Sequence, residues 1–328
     1  MDDQQSSKNK ARKKKNSTRN FGLGTRSLLR AGKVCAHQSN LAFSTRGTLA
    51  DRWAIFERWI KASHGITHME QISQAHVLGY GEHLNKRVDQ NELKASTAQL
   101  YLSAVNSILR QATQGQWHSI SPTKDCSIPR RQHLPESSKA MPQTEHDHLL
   151  TLVDERIGTL LNLQRNLGLR FKESALLNVR HAFRQARKKG FITVADGTKG
   201  GKVRQVPVGQ DALKALEQAA KIQGNDRSMT PGDQFYEDFR EECYQTAKQY
   251  GFNFHSERHH YAQRRYRELS GLPAPISTGV QRKDWLVFAA EYLSVDITTA
   301  KSIDRTARLT LSRELGHERI EVTSVYVG

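Results

Sequence analysis

The chain has 328 residues with 50 Lys or Arg against 33 Asp or Glu, and its formal net charge of +17 favours a polyanionic partner, DNA or RNA ahead of an anionic membrane surface. No apolar run approaches the roughly 18 residues of a membrane span, and no charged start followed by an apolar segment indicates secretion. Three scattered cysteines, Cys35, Cys126 and Cys243, have no CxxC spacing, and they predict reduced thiols in a cytosolic protein without a disulfide framework.

The first predicted element is a basic arm over residues 1–24. From Gln4 to Ala50 the sequence contains no Asp or Glu, while Lys and Arg accumulate, among them Lys13, Lys14 and Lys15. So polar a block buries too little apolar surface to fold alone, and we expect a disordered arm. Two uses stay open: a solubilising tail, or an arm that grips DNA phosphates and adds affinity without reading base sequence.

Residues 25–120 show the periodicity of a helical domain. Apolar residues recur at steps of three and four over 48–62, and further helices are predicted over 69–87 and 96–113. Consecutive amphipathic helices with short connections predict a small all-α bundle. Four prolines and few apolar residues over 121–142 then predict a linker to a second domain, which a chain of this length can accommodate.

Residues 143–328 combine helical periodicity with one β-hairpin. Two β-branched or alternating stretches, 191–194 and 203–208, flank the Gly-rich connection ADGTKGGK and predict the hairpin. The helices predicted around it span residues 144–167, 171–178, 211–222, 234–250 and 255–269. Residues 272–305 are predicted to be an insertion. The fold class is therefore mainly α with a small β-hairpin.

Arg170 in the stretch GLRFKE is the first residue that could carry chemistry. It follows a predicted turn at Gly168, and Glu173 lies three residues further on. One interpretation is an ordinary surface ion pair at helical spacing, worth about a few tenths of a kcal/mol. In the other, Glu173 holds the Arg170 guanidinium so that its planar fork can bind a phosphate bidentately.

Two lysines, Lys199 and Lys202, lie in the predicted hairpin connection, where an exposed lysine is the default. A hairpin tip is also well suited to place an ammonium group in a groove, and a positioned lysine can protonate a leaving oxygen. Further on, Gly316 is predicted to end a helix, so His317 alone reads as a capping histidine. Tyr326 alone is an aromatic residue near the end of the sequence.

The stretch HSERHH places His255 and Arg258 three residues apart, on one face of a predicted helix. Because His255 and His259 are four apart, a zinc site is conceivable. The helical zinc motif, however, needs Glu directly after its first His, and here Glu257 comes second. No third ligand follows at a fixed spacing, and we predict no metal.

The order of these candidates along the chain is more specific than any of them alone. Residues 144–328 resemble the catalytic domain of the tyrosine recombinases, the phage-type integrases. The matching stretches are GLRFKE with Arg170 and Glu173, TKGGKVRQVPV with Lys199, HSERH with His255 and Arg258, and LGHERIEVTSVY with His317 and Tyr326. The nine-residue step from His317 to Tyr326 is the spacing the family uses. The upstream helical region resembles the family's SAM-like core-binding domain more loosely.

The resemblance implies an α+β catalytic domain and a site-specific DNA recombinase that needs no metal or nucleotide cofactor. Tyr326 would attack the scissile phosphate and form a 3′-phosphotyrosyl link. Double-stranded DNA sites would be the partner, with a homo-tetramer in the synaptic complex and a monomer or dimer off DNA. The setting would be cytoplasmic and nucleoid-associated, in a bacterium, phage or mobile element. A type IB topoisomerase and a catalytically silent DNA-binding protein of the same fold are the alternatives.

The resemblance also implies a role for each matching residue. The charge-stabilising donors would be Arg170, Arg258 and His317, the general base His255 and the general acid Lys199. Glu173 would support them, and Lys202, Arg204 and the arm lysines would contact the DNA backbone.

Three departures from the family pattern stand out. The motif reads HSER where HxLR is usual, which puts a charged Glu257 at a packing position. The segment between Arg258 and His317 is longer than in compact members. Few residues follow Tyr326, so the docking of a C-terminal helix on a neighbour is absent, is replaced by the insertion or the arm, or needs residues outside this sequence. We also expect the Tyr326 helix to be mobile until DNA and a neighbouring protomer fix it.

Overall fold

The computed structural model describes residues 19–131, 135–317 and 319–328. The chain divides into two compact units, residues 1–132 and 133–328, each with its own apolar core. The arm lysines Lys13, Lys14 and Lys15 lie outside the described residues. The end of the predicted arm is folded, because Asn20 is buried and its side-chain oxygen accepts a hydrogen bond from the Met69 amide at 2.8 Å.

The first unit is a bundle of helices joined by short connections. Its helices are α1 (Leu28–Gln38), α2 (Phe43–His64), α3 (Gln74–Asp89) and α4 (Ala95–Ala112). Apolar side chains at steps of three and four meet in one core, where α2 packs on α1 and α4. Trp53 is fully buried there, and its indole nitrogen donates to the carbonyl of Leu28 at 3.0 Å. The all-α prediction for this region is confirmed.

The predicted linker over 121–142 is shorter in the structure. Cys126 and Ile128 are buried in the core of the first unit, and the Ile128 amide donates to the carbonyl of Pro122 at 3.0 Å. Met141 is buried in the core of the second unit. Apolar side chains at both ends of this stretch are therefore buried, those of Cys126 and Ile128 in the core of the first unit and that of Met141 in the core of the second.

The second unit holds the remaining elements. They are α5 (Gln143–Leu152), α6 (Glu155–Leu167), α7 (Phe171–Leu176), α8 (Val179–Lys189), β1 (Phe191–Val194), β2 (Arg204–Pro207), α9 (Gln210–Gln223), α10 (Tyr236–Gln249), α11 (His255–Ser270), α12 (Trp285–Leu293), α13 (Ile297–Glu314) and α14 (Ile320–Val327). Helix α6 packs on α9 and α11, and α13 packs on α11, α12 and α14. The two strands pair antiparallel, with Phe191 opposite Pro207 and Val194 opposite Arg204. The predicted fold class is confirmed.

Two helices differ from the prediction. The helix expected over 144–167 is broken at Asp154, whose carboxylate accepts from the amides of Arg156 and Ile157 at 2.9 Å and begins a new helix. Helix α8 was not predicted at all, because it is strongly basic and buries little more than Val179 and two alanines.

The segment 272–305, which was predicted to be an insertion, packs into the core of the second unit. Leu272 is fully buried, and Trp285 is nearly so at the start of α12. The Trp285 ring packs against Phe288 with centroids 5.5 Å apart. Helix α12 packs on α13, and α13 packs on α11, so this segment adds to the core that supports α11.

Candidate active site

Arg258 lies on the buried face of α11 and is completely enclosed. Its Nε donates to the Tyr326 hydroxyl at 3.2 Å, one terminal nitrogen donates to the Gly168 carbonyl, and the other donates to the Leu315 carbonyl at 2.5 Å. A guanidinium presents donors in a rigid fork, so three acceptors fix its orientation. Burial, partly offset by Tyr326, lowers the pKa of Arg258 to about 10, so it is charged at neutral pH.

Arg170 is the N-cap residue of α7, and the side chain of Glu173 bonds back to it. The Glu173 carboxylate accepts from the Arg170 amide at 2.7 Å and from its guanidinium at 2.7 Å. The remaining terminal nitrogen of Arg170 lies 3.4 Å from the Leu315 carbonyl and 3.4 Å from Nε2 of His317. The side chain keeps about 20% of its surface open, so Glu173 holds a guanidinium that solvent or a ligand can reach.

Arg204 is not a surface residue, and the prediction that it contacts DNA is wrong. Its two terminal nitrogens donate to both oxygens of Glu173 at 2.8 and 2.6 Å, and its Nε donates to the Glu314 carbonyl at 2.8 Å. Burial alone would raise the pKa of Glu173, but the hydrogen bonds and charge of Arg204, with the Arg170 amide, outweigh it and hold that pKa at about 2. Arg204 therefore serves as an internal counter-ion.

The stretch Leu315-Gly316-His317 follows the end of α13. Gly316 has a φ of +70°, and a Cβ there would lie 3.1 Å from the Arg204 side chain, so this turn requires glycine. The turn aims the Leu315 carbonyl at both arginines and brings His317 beside Arg170. Partial burial, then the charges of Arg258 and Arg170, lower the pKa of His317 to about 4, so the ring is neutral at pH 7.

Tyr326 is docked within its own chain. Its side chain is 5% exposed, and its ring centroid lies 4.8 Å from that of His259 and 5.8 Å from that of His255. The Tyr326 carbonyl accepts from Gln263 at 3.1 Å, and Val327 is fully buried. Contacts with α11 and α13 of the same chain hold this helix in the structure, whereas the sequence led us to expect that DNA and a neighbouring protomer fix it.

The two histidines beside Tyr326 differ in exposure. His255 begins α11 and keeps part of its surface open, whereas His259, one turn later, is buried. Desolvation, followed by the charges of Arg258 and Arg170, lowers the pKa of His255 to about 4. Burial is also the main cause that lowers the pKa of His259 to about 4. Both rings are neutral at pH 7, the state in which an imidazole can accept a proton.

Lys199 and Lys202 are exposed in the hairpin connection. The Lys199 charge is among the causes that lower the pKa of His317, so it faces the same side of the unit. Lys202 borders a surface groove of about 540 Å³, which Thr193, Thr310, Arg313 and His317 also line. A groove lined by lysine, arginine and His317 is suited to a phosphate backbone.

Within the three described ranges, no cluster of three His, Cys, Asp or Glu could hold a metal ion. The same residues include no helix that is long and apolar enough to cross a membrane.

Residues 132–264 match a family model described as Integrase. Among solved structures, the Tn1549 transposon integrase in complex with a circular intermediate DNA has a TM-score of 0.56 at 13% identity, over 93% of this chain and 96% of that one. A lambda integrase dimer bound to a COC′ core site has a TM-score of 0.50 at 15% identity, over 85% of this chain and 77% of that one. None of the curated proteins compared with the chain matches it.

Residues 132–264 are thus similar to the integrase family, and the fold of the chain is similar to that of the two solved integrases. The residues that match the integrase model include Arg170, Lys199, His255 and Arg258, whereas Tyr326 lies outside the match and is brought to them by the fold. The structure gathers Arg170, His255, Arg258, His317 and Tyr326 in one site, with Lys199 on the hairpin beside it.

The sequence analysis missed a second ionic cluster, which lies next to Arg258 along α11. Glu257 is fully buried and bonds to Arg165 and to His146, both at 2.6 Å. The signal was available, because a carboxylate at a packing position between His255 and Arg258 requires buried partners.

Proposed function

We propose that the chain is a site-specific DNA recombinase in which Tyr326 is the nucleophile. The observation that carries the proposal is the 3.2 Å hydrogen bond from the buried Arg258 guanidinium to the Tyr326 hydroxyl, with His255 packed beside the same ring. A cationic donor aimed at the hydroxyl oxygen favours the negative charge that develops there when the proton leaves. A tyrosine that served only to fill the core would need neither group.

The reaction follows from this arrangement in two balanced steps. The Tyr326 oxygen attacks the scissile phosphorus, a P–O bond to tyrosine forms, and the bond to the 5′-oxygen breaks with transfer of a proton to that oxygen. The 5′-hydroxyl of a partner strand then attacks the same phosphorus and releases the tyrosine, which regains its proton. Each step exchanges one phosphodiester for another, so the bond energy is retained and no nucleotide cofactor is needed.

Each remaining residue has a role in this proposal. Arg170 offers its partly open fork to the phosphoryl oxygens, and neutral His317 adds a hydrogen bond. His255 accepts the Tyr326 proton, directly or through water, and Lys199 protonates the 5′-oxygen. Glu173 and Arg204 position Arg170 without touching DNA.

We further propose double-stranded DNA sites as the partner and a nucleoid-associated location in the cytoplasm of a bacterium, or in a phage or mobile-element setting. Exchange between two duplexes cuts four strands, and one tyrosine serves each cut. Four protomers therefore have to assemble around the two sites. The high positive charge of the chain supports capture of DNA from solution.

The decisive experiment traps the covalent intermediate. The protein is mixed with nicked, sheared genomic DNA from its source, quenched with SDS, and the covalently bound fragments are sequenced. We expect the unaltered protein to yield adducts that cluster at one sequence and Tyr326→Phe to yield none. An adduct with Tyr326→Phe would contradict the nucleophile assignment. No adduct with the unaltered protein would favour the silent DNA-binding alternative, and relaxation of supercoiled DNA without a preferred site would favour the topoisomerase.

The role of Lys199 has its own test. With a 5′-thiol leaving group, which departs without protonation, Lys199→Ala should recover much of the cleavage that it loses on ordinary DNA. If the thiol substrate is cleaved no better than the ordinary one, Lys199 is not the general acid.

A further inference from the structure

Residues 138–141, which we call the strap, are pinned across the start of α11. At one end, the Ser138 hydroxyl hydrogen-bonds to Gln263 at 2.9 Å. At the other end, the amide of Met141 donates to the Ser256 carbonyl at 3.3 Å, and its carbonyl accepts from Arg165 at 3.2 Å. The Met141 side chain is buried. The strap therefore has a fixed course within the second unit.

Lys139 lies between these two anchors and is exposed. Gln263, which holds Ser138, also donates to the Tyr326 carbonyl at 3.1 Å, so the strap runs beside the helix of the proposed nucleophile. The positive charge of Lys139 is among the causes that lower the pKa of His255 and His259, and for His259 its effect ranks ahead of that of Arg258. Lys139 is therefore within electrostatic reach of the residues around Tyr326.

We infer that Lys139 is a DNA-binding residue of this site, and that the strap presents its ammonium group to a backbone phosphate next to the one that Tyr326 attacks. The inference rests on the proposed function. An exposed lysine on a free segment would cost rotamer and backbone entropy to order, but a strap anchored on both sides has already lost its backbone freedom. A strongly hydrated ammonium group suits a phosphate contact that positions DNA without reading its bases.

The test is the salt dependence of binding to a short duplex that contains the captured site, or to a duplex of arbitrary sequence if none is captured. Each phosphate contact adds about 0.9 to the slope of log K against log salt concentration. Lys139→Ala should lower the slope by about 0.9, and Lys139→Arg should restore it. Lys221→Ala is the matched control, because it removes the same charge from an exposed pair with Glu217 on α9, outside the site. If the slope of Lys139→Ala equals those of the unaltered protein, Lys139→Arg and Lys221→Ala, the inference is wrong.

A second readout uses the pH profile of adduct formation. The charged groups acting on His255 are Arg258, Arg170 and Lys139, and the rings against it are His259 and Tyr326. Loss of the Lys139 charge should raise the pKa of His255 and move the acidic limb of the profile to higher pH, whereas Lys221→Ala should not. A shifted limb with an unchanged salt slope would refute the phosphate contact. Failure of the unaltered protein to form any adduct would instead refute the proposed function, while the salt slope would still test Lys139.

Discussion

Arg258 and Tyr326 are joined by a hydrogen bond of 3.2 Å from the guanidinium Nε to the tyrosine hydroxyl. The same guanidinium donates to the main-chain carbonyls of Gly168 and Leu315. The position of the Tyr326 hydroxyl therefore depends on where α6 and α13 end, since the carbonyls of Gly168 and Leu315 orient the guanidinium that holds it.

Arg258→Lys should abolish adduct formation and destabilise the second unit. One ammonium group cannot reach three acceptors that lie in different directions, and each buried acceptor left without a donor costs about 1–3 kcal/mol. Urea unfolding and the SDS-trapping assay measure the two effects. Arg267→Lys makes the same change at an exposed position of α11 and should leave both unchanged. A fully active Arg258→Lys protein would show that the fork is not required.

Glu173→Gln should cost about 3–5 kcal/mol in free energy of unfolding, because it leaves the buried Arg204 charge without its counter-ion. It should also release Arg170, so cleavage should fall even under conditions where the variant stays folded. The comparison is Glu217→Gln, which breaks an exposed pair with Lys221 and should change stability by less than about 0.5 kcal/mol. If the two substitutions changed stability equally, the buried contacts of Glu173 with Arg170 and Arg204 would contribute no more than an exposed ion pair.

Gly168→Ala should lower the thermal midpoint more than a left-handed backbone alone explains. Gly168 has a φ of +61°, and a Cβ there would lie 2.4 Å from the Tyr261 ring. Gly190→Ala isolates the backbone cost, about 1–2 kcal/mol, because Gly190 has a φ of +74° with open space around it. The difference between the melting temperatures of the two variants measures the destabilisation caused by the clash of the new Cβ with the Tyr261 ring. If the two variants melt together, the ring moves aside freely.

The free energy of unfolding should fall as pH drops from about 6.5 to about 4. His255, His259 and His317 have folded pKa values of about 4, whereas in the unfolded chain they bind protons near about 6.5. Within that window the unfolded chain holds more protons, so acid favours unfolding. Urea unfolding at several pH values measures the slope. His259→Gln should flatten it, and His37→Gln, at an exposed position of the first unit, should not. NMR titration of the histidine rings checks the pKa values directly.

The sequence was enough to predict the helical fold, the hairpin and the residues that meet at the site. Helical periodicity marks most helices, and the three-residue step from His255 to Arg258 places both on one side of α11. Helix α8 was not predicted, because its apolar face consists of little more than Val179 and two alanines. This pattern is too weak to recognise among so many basic residues. For both α8 and Arg204, the sequence did not show which side chains face the interior. Basic residues were therefore assigned to the surface by their charge alone.

Arg204 shows how such an error could have been avoided. It lies two residues before Val206 in β2, and strand residues two apart share a face. Val206 is buried, so Arg204 had to point inward and had to find an acceptor. Because Lys202 precedes Arg204 closely, both were assigned to one basic loop, and the alternation of buried and exposed residues in β2 was overlooked. The contact with the Glu314 carbonyl, in contrast, depends on tertiary structure and leaves no mark in the sequence.

The Leu315 carbonyl receives hydrogen bonds from both Arg170 and Arg258, and it is a main-chain atom. No substitution of the side chain at position 315 can remove this carbonyl. Other apolar residues there would therefore keep the hydrogen bonds from both arginines. The neighbouring Gly316 has no such latitude, because its left-handed turn decides where that carbonyl points. Among apolar replacements of similar size at position 315 we therefore expect few loss-of-function alleles, whereas replacements of Gly316 should yield many.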